Sequence, residues 1–108
     1  MFTGYFANPL LRGAQNVISI ARGNPRFFKG LKGDIEELKP TWEMVQNGYS
    51  YSQYKKYIKN VDLLKIYEEH KKDVLCCYEK SRAHCHRGYL ARLYKEKHNI
   101  IVDEFVGV

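Results

Sequence analysis

Hydrophobic and polar positions change period several times along this chain, and each change marks an element. Residues 1–6, MFTGYF, and 16–21, NVISIA, are short aromatic and β-branched runs closed by turn formers, the pattern of strands. Val17, Ile18 and Ile20 are nearly continuous apolar positions, which predicts a strand covered on both faces. Residues 21–34, ARGNPRFFKGLKGD, hold four Gly or Pro and read as a loop, made basic by Arg22, Arg26, Lys29 and Lys32. PTWEMVQNG, 40–48, predicts one short helix with Thr41 as N-cap and Asn47-Gly48 as its stop. From Ser50 the spacing turns helical: Tyr54, Tyr57, Ile58, Val61, Leu64 and Tyr67 form an apolar stripe opposed by lysines. Asn60 and Asp62 divide that stripe into two helices, Asp62 capping the second. DVLCCY, 73–78, reads as a buried strand, a helix runs from Cys85 to about His98, and NIIVDEF, 99–105, closes the pattern as a strand.

Strands alternating with helices in this order predict one α/β domain over residues 1–108. Its sheet is mostly parallel with flanking helices and right-handed crossovers, a Rossmann-like three-layer arrangement. No repeat, low-complexity tract or linker divides it. In such sheets ligands bind beyond the carboxyl ends of the strands. Loops 22–33 and 78–85 both leave strand carboxyl ends, so the two are expected to face one crevice.

Composition keeps this picture and adds a bias. Of 108 residues, 44% are hydrophobic and 28% charged, the balance of a folded chain with a modest core. The formal net charge of +6 favours anionic partners: a phosphate-bearing small molecule, a nucleic acid or an acidic protein. No apolar run approaches the roughly 20 residues that cross a bilayer, so no membrane partner is expected. MFTGYFANPLLRG lacks the basic head and long apolar stretch of a secretory signal, which points to a cytoplasmic location. Three cysteines, two of them adjacent, argue against a secreted disulfide framework and for reduced thiols.

All three cysteines fall in LCCYEKSRAHCHRGYLARLY, residues 75–94. This stretch resembles the signature of the domain of unknown function 488 family: a strand reading Leu-Leu-Cys-Tyr-Glu-Lys, a short spacer, then Cys-His-Arg opening an amphipathic helix. GYFAN at 4–8, ISIARGNPRFFKG at 18–30, ELKPTW at 37–42 and YSQYKKYIKNV at 51–61 are similar to the family's other segments, in the same order. Lys39 stands where the family usually has Ala, and Cys76 is an extra cysteine one position before the expected one. The resemblance implies a compact α/β fold and no assigned activity. It makes Arg22, Thr41, Cys77, Glu79, Lys80, Cys85, His86 and Arg87 the signature positions.

Three chemistries compete at these positions. Zinc normally takes four ligands, often as two close pairs; Cys77, Cys85 and His84 or His86 supply three and no second pair exists, so no metal or other cofactor is expected. Cys85 falls at a helix N-terminus, where the dipole favours thiolate. With Cys77 eight residues earlier at the same rim, the two could be nucleophile and resolving thiol, or one nucleophile with His86 as base and Glu79 assisting. The same helix start also suits a phosphate or carboxylate, with Arg22, Thr41, Lys80 and Arg87 as its binding residues. Glu79 is expected to pair with Arg22 or Arg87, or to serve as a carboxylate in the chemistry. Cys76 reads as a small hydrophobe in a buried strand. Tyr54 and Tyr57 read as core rather than base-stacking platforms, and Trp42 as a packing anchor unless it lies exposed beside the crevice.

The favoured expectation is a phosphate-bearing ligand, nucleotide or nucleic acid, bound at the start of the 85–97 helix, with cysteine-dependent chemistry open. The alternative is a non-catalytic protein whose basic surface binds nucleic acid or an acidic partner. Whether the protein is an enzyme, and its oligomeric state, are left undecided by the sequence.

Overall fold

The computed structural model describes residues 1–79 and 85–106. Among these, five parallel strands form one sheet: β1 (Phe2–Tyr5), β2 (Val17–Ser19), β3 (Gly33–Asp34), β4 (Val74–Cys77) and β5 (Asp103–Glu104), in the spatial order β3-β2-β4-β1-β5. Four α-helices accompany them: α1 (Trp42–Asn47), α2 (Tyr51–Tyr57), α3 (Leu63–Glu69) and α4 (His86–His98). No helix of the described residues is long and apolar enough to cross a membrane.

Successive strand residues point to opposite faces of a sheet. Ile18, Ile20 and Leu75 face a core completed by Tyr54, Ile58, Leu63, Ile66, Leu90, Leu93 and Tyr94 from the helical side. Val17, Val74 and Cys76 face a second core with Phe6, Leu11 and Ala21, against which Phe28 and Leu31 pack. The domain thus has three layers. Helices α2–α4 make one flank, and the other is a thinner layer built from the 3-10 turn Pro9–Leu11 and the loop after β2.

Local caps set the helix boundaries. Thr41 accepts from the Met44 N–H, and Gly48, at φ 77°, ends α1 in the left-handed region that favours glycine. Ser50 and Gln53 form a capping box on α2, and Asp62 accepts from the Lys65 N–H to start α3. That restart shifts the apolar phase: Leu63 and Ile66 are buried, whereas Leu64 stands exposed. The closing strand is shorter than the pattern predicts. Asn99 ends α4 in the left-handed conformation (φ 53°), Ile100 still bonds back to the Tyr94 carbonyl, and only Asp103 and Glu104 pair with β1. Conversely, Gly33 and Asp34, expected in the loop, extend the sheet by pairing with Ile18 and Ser19.

Two buried ionic groups tie the connections down. Asp73, just before β4, accepts from Lys32 Nζ at 2.9 Å and meets His70 Nδ1 at 2.8 Å. Lys39 is almost fully buried and pairs with Asp34 at 2.9 Å and Glu36 at 3.5 Å. Gly4 of β1 lies opposite Cys76 of β4, and a Cβ at Gly4 would come within 2.9 Å of Val74 Cγ1 and 3.2 Å of Cys76 Sγ.

Candidate thiol site

Beyond the carboxyl ends of β2 and β4, where parallel sheets offer their binding crevices, the chain encloses a cavity of about 560 Å³. Ala21, Arg22 and Gly23 continue β2 into one wall, and Cys77, Tyr78 and Glu79 continue β4 into another. Cys85, His86 and Tyr89 bring the start of α4 to the floor. Trp42 and Val45 of α1, with Gly48, Tyr49 and Pro40, close the remaining side. Arg22 and Gly23 of the one stretch and Tyr78, Glu79 and Cys85 of the other therefore meet at this crevice.

The floor concentrates sulfur. Cys77, the last residue of β4, and Cys85, the N-cap residue of α4, are joined as a disulfide with their Cα atoms 7.6 Å apart. His86 Nε2 lies 2.6 Å from the Ile20 carbonyl, so that nitrogen carries the proton and donates it. Nδ1 is left with its lone pair, 3.7 Å from Cys85 Sγ. Burial pulls the imidazole down to about 4, against which the Ile20 hydrogen bond acts only partly, so His86 is neutral at neutral pH. Cys76 stands outside this group. It is a free, fully buried thiol pushed up to about 12 by burial, an inert packing residue.

Arg87 follows His86 into the first turn of α4, and its side chain is entirely buried. Its Nε and Nη2 grip the Glu104 carboxylate, at 3.1 and 2.8 Å, while Thr3 donates to the same carboxylate at 2.8 Å. Nη1 points the other way, to Cys77 Sγ at 2.9 Å and to the Glu79 carbonyl. The guanidinium thus lies behind the sulfur pair rather than in the crevice.

This arrangement redistributes the positions singled out in the sequence. Cys77, Cys85 and His86 come together, and Glu79 lines the crevice. Arg22 also lines it, but Nε donates to the Pro40 carbonyl at 2.7 Å and Nη1 pairs with Glu36, so the cation braces segment 36–40. The expected partnership of Glu79 with Arg22 or Arg87 is replaced by Arg22–Glu36 and Arg87–Glu104. Thr41 is spent on the α1 cap and does not line the crevice. Lys80 lies outside the described residues, as do Arg82 and His84. Trp42 is no packing anchor: it is 59% exposed at the crevice, its ring edge beside Gly23. Tyr54 is core, its hydroxyl donating to the Leu38 carbonyl, while Tyr57 is partly exposed and donates to the Lys39 carbonyl. Tyr49 and Tyr89 are crevice residues that the pattern did not mark, and Glu104 gave no signal because its partner is 17 positions away.

Compared with protein-family models, curated proteins and solved structures, the chain matches none.

Proposed function

We propose that this is a thiol-redox protein whose chemical step is reversible disulfide exchange at Cys77 and Cys85. The observation that carries the reading is the meeting of the two sulfurs on the floor of a crevice, one beside a neutral imidazole and the other beside a buried guanidinium. A thiolate of a partner dithiol entering the crevice attacks Cys85 Sγ. The S–S bond breaks and its electron pair leaves on Cys77 Sγ, where Arg87 stabilises the thiolate. A more stable leaving thiolate departs faster. The partner's second thiol then displaces Cys85, which leaves as a thiol once protonated. The partner dithiol becomes a disulfide, and two electrons and two protons end on Cys77 and Cys85. In the opposite direction His86 Nδ1 accepts the Cys85 proton as that thiol attacks a partner disulfide. Trp42, Val45, Tyr49 and Tyr89 make the walls aromatic and apolar, which suits a thiol or disulfide flanked by a planar or apolar group. Membership of the domain of unknown function 488 family belongs to the same proposal, since four of its signature positions gather here, Cys77, Cys85 and His86 on the floor and Arg87 behind it.

The test is peptide mapping by mass spectrometry across a glutathione redox series. The Cys77–Cys85 linkage should open and close reversibly, and Cys77→Ser should trap glutathione on Cys85. Failure of the linked peptide to form under any oxidising ratio would overturn the reading.

An anionic ligand is the second reading, favoured by the net charge of +6. It stands behind the first because Arg22 and Arg87 already hold carboxylates. It expects crevice binding of a nucleotide that weakens steeply with salt.

A further inference from the structure

Among the described residues the buried charged side chains Asp73 and Lys39 are already paired, Asp73 with Lys32 and His70, and Lys39 with Asp34 and Glu36. The crevice floor differs in gathering three metal-ligating side chains, all buried. Cys77 Sγ, Cys85 Sγ and a His86 ring nitrogen lie within 4.8 Å of one another. We propose that the reduced protein binds one zinc ion through Cys77 Sγ, Cys85 Sγ and His86 Nδ1, with the fourth position open to the crevice. The inference rests on the thiol reading only in needing a pair that can be reduced.

The ring orientation supports it. Histidine ligands usually donate their other N–H to a backbone carbonyl or carboxylate, which fixes the tautomer and aims the free nitrogen at the metal. His86 does this through Nε2 and Ile20, and the nitrogen that remains faces Cys85 Sγ. The spacing agrees as well. Two thiolates on one tetrahedral zinc, each about 2.3 Å from the ion, hold their sulfurs about 3.8 Å apart. The Cα atoms of Cys77 and Cys85, 7.6 Å apart, stand wide enough that the sulfurs can part to that distance once their bond is reduced.

Charge and donor type narrow the metal. Two thiolates neutralise a divalent ion, and Arg87 is already neutralised by Glu104, so the filled floor buries no net charge. Two sulfurs and an imidazole favour zinc over magnesium or calcium. Three protein ligands with one open position is the arrangement of reactive rather than purely structural zinc, and the cavity of about 560 Å³ gives a water or a ligand thiolate space to occupy it. The sequence lacks the second ligand pair of a structural site, but strand β4 and helix α4 supply a three-donor set across one joint. Loading releases the two thiol protons. A low-molecular-weight disulfide then reverses it: two electrons pass from the Cys77 and Cys85 thiolates to the oxidant, two small thiolates and the Cys77–Cys85 bond form, and the ion is freed.

The test uses the full chain, reduced and kept anaerobic, titrated with Co(II). Thiolate-to-cobalt charge-transfer absorption should rise to one equivalent and be displaced by Zn(II). Cys76→Ala should keep the signal, Cys85→Ser should lose it, and His86→Gln should weaken binding at least about tenfold. Circular dichroism shows whether each variant is folded. Absence of charge-transfer absorption in the reduced wild type, or its persistence in folded Cys85→Ser, overturns the site. Should Cys85→Ser not fold, alkylation of Cys77 and Cys85 in the reduced wild type, confirmed by mass spectrometry before the titration, must abolish the absorption; its persistence overturns the proposal. A reversible Cys77–Cys85 linkage without cobalt absorption removes the metal site and leaves the redox reading, whereas cobalt absorption without any linkage does the opposite.

Discussion

Arg87 reaches Cys77 Sγ with Nη1 at 2.9 Å from a guanidinium whose far side is held by both oxygens of Glu104. The thiol site is thereby coupled to β5, a strand of two residues at the sheet edge.

Glu104→Gln should therefore cost more than its edge position implies. Removing one partner from a buried ion pair costs about 3–5 kcal/mol; Glu104 keeps some contact with water, so we expect about 2–3 kcal/mol. Urea denaturation should show a lower midpoint with an unchanged slope. A midpoint equal to wild type would mean that the pair contributes no stability.

Gly4→Ala should destabilise the fold by about 1–3 kcal/mol, the range for overpacking a filled core. The added methyl meets Val74 Cγ1 at 2.9 Å in the middle of the β1–β4 pairing, where neither backbone can retreat. Pairing the change with Cys76→Ala should restore part of the loss, since one of the crowded atoms is the Cys76 sulfur.

Asp73 sets the acid limb of stability. Burial acts to raise its pKa, but His70 and Lys32 outweigh that, so the carboxyl titrates below its ordinary range. A folded pKa below the unfolded value of about 3.9 means that Asp73 stabilises the fold above that pH, and that the contribution disappears as pH falls through the folded pKa. Asp73→Asn should lower the urea midpoint at pH 7 and flatten its decline below about pH 4. Parallel acid limbs in the two proteins would assign the decline to other groups.

Trp42 gives the crevice its own reporter, as the chain has a single tryptophan. Acrylamide should quench its fluorescence efficiently in the free protein, and an aromatic thiol such as benzyl mercaptan seated in the crevice should protect it. Equal quenching with and without the thiol would count against Trp42 as a wall of the occupied crevice.

What could be read from the sequence was what local rules decide. Thr41 and Asp62 cap helices where the pattern places them, because a side-chain oxygen three residues before a free N–H needs no tertiary help. The alternation of strands and helices gave the parallel sheet, and that topology brought Cys77 and Cys85 to one rim. Side-chain partnerships over distance were out of reach. Leu64 fits the helical stripe, yet Leu63 takes the core position because the Asp62 cap restarts the phase. Arg22 and Arg87 read from the sequence as cations beside one crevice, and only the fold shows that they pair with Glu36 and Glu104. Nothing local distinguishes a cation that awaits a ligand from one already paired.

The short helix α1 buries none of its six residues, although Trp42 and Val45 form one side of the crevice. Its opposite side, the ends of β2 and β4 and the start of α4, is rooted in both cores. The site is thus a vice with one fixed jaw and one sprung jaw. Detaching α1 breaks few apolar contacts, so its amides should exchange with solvent well before those of β4. The width of the crevice should then follow its occupant.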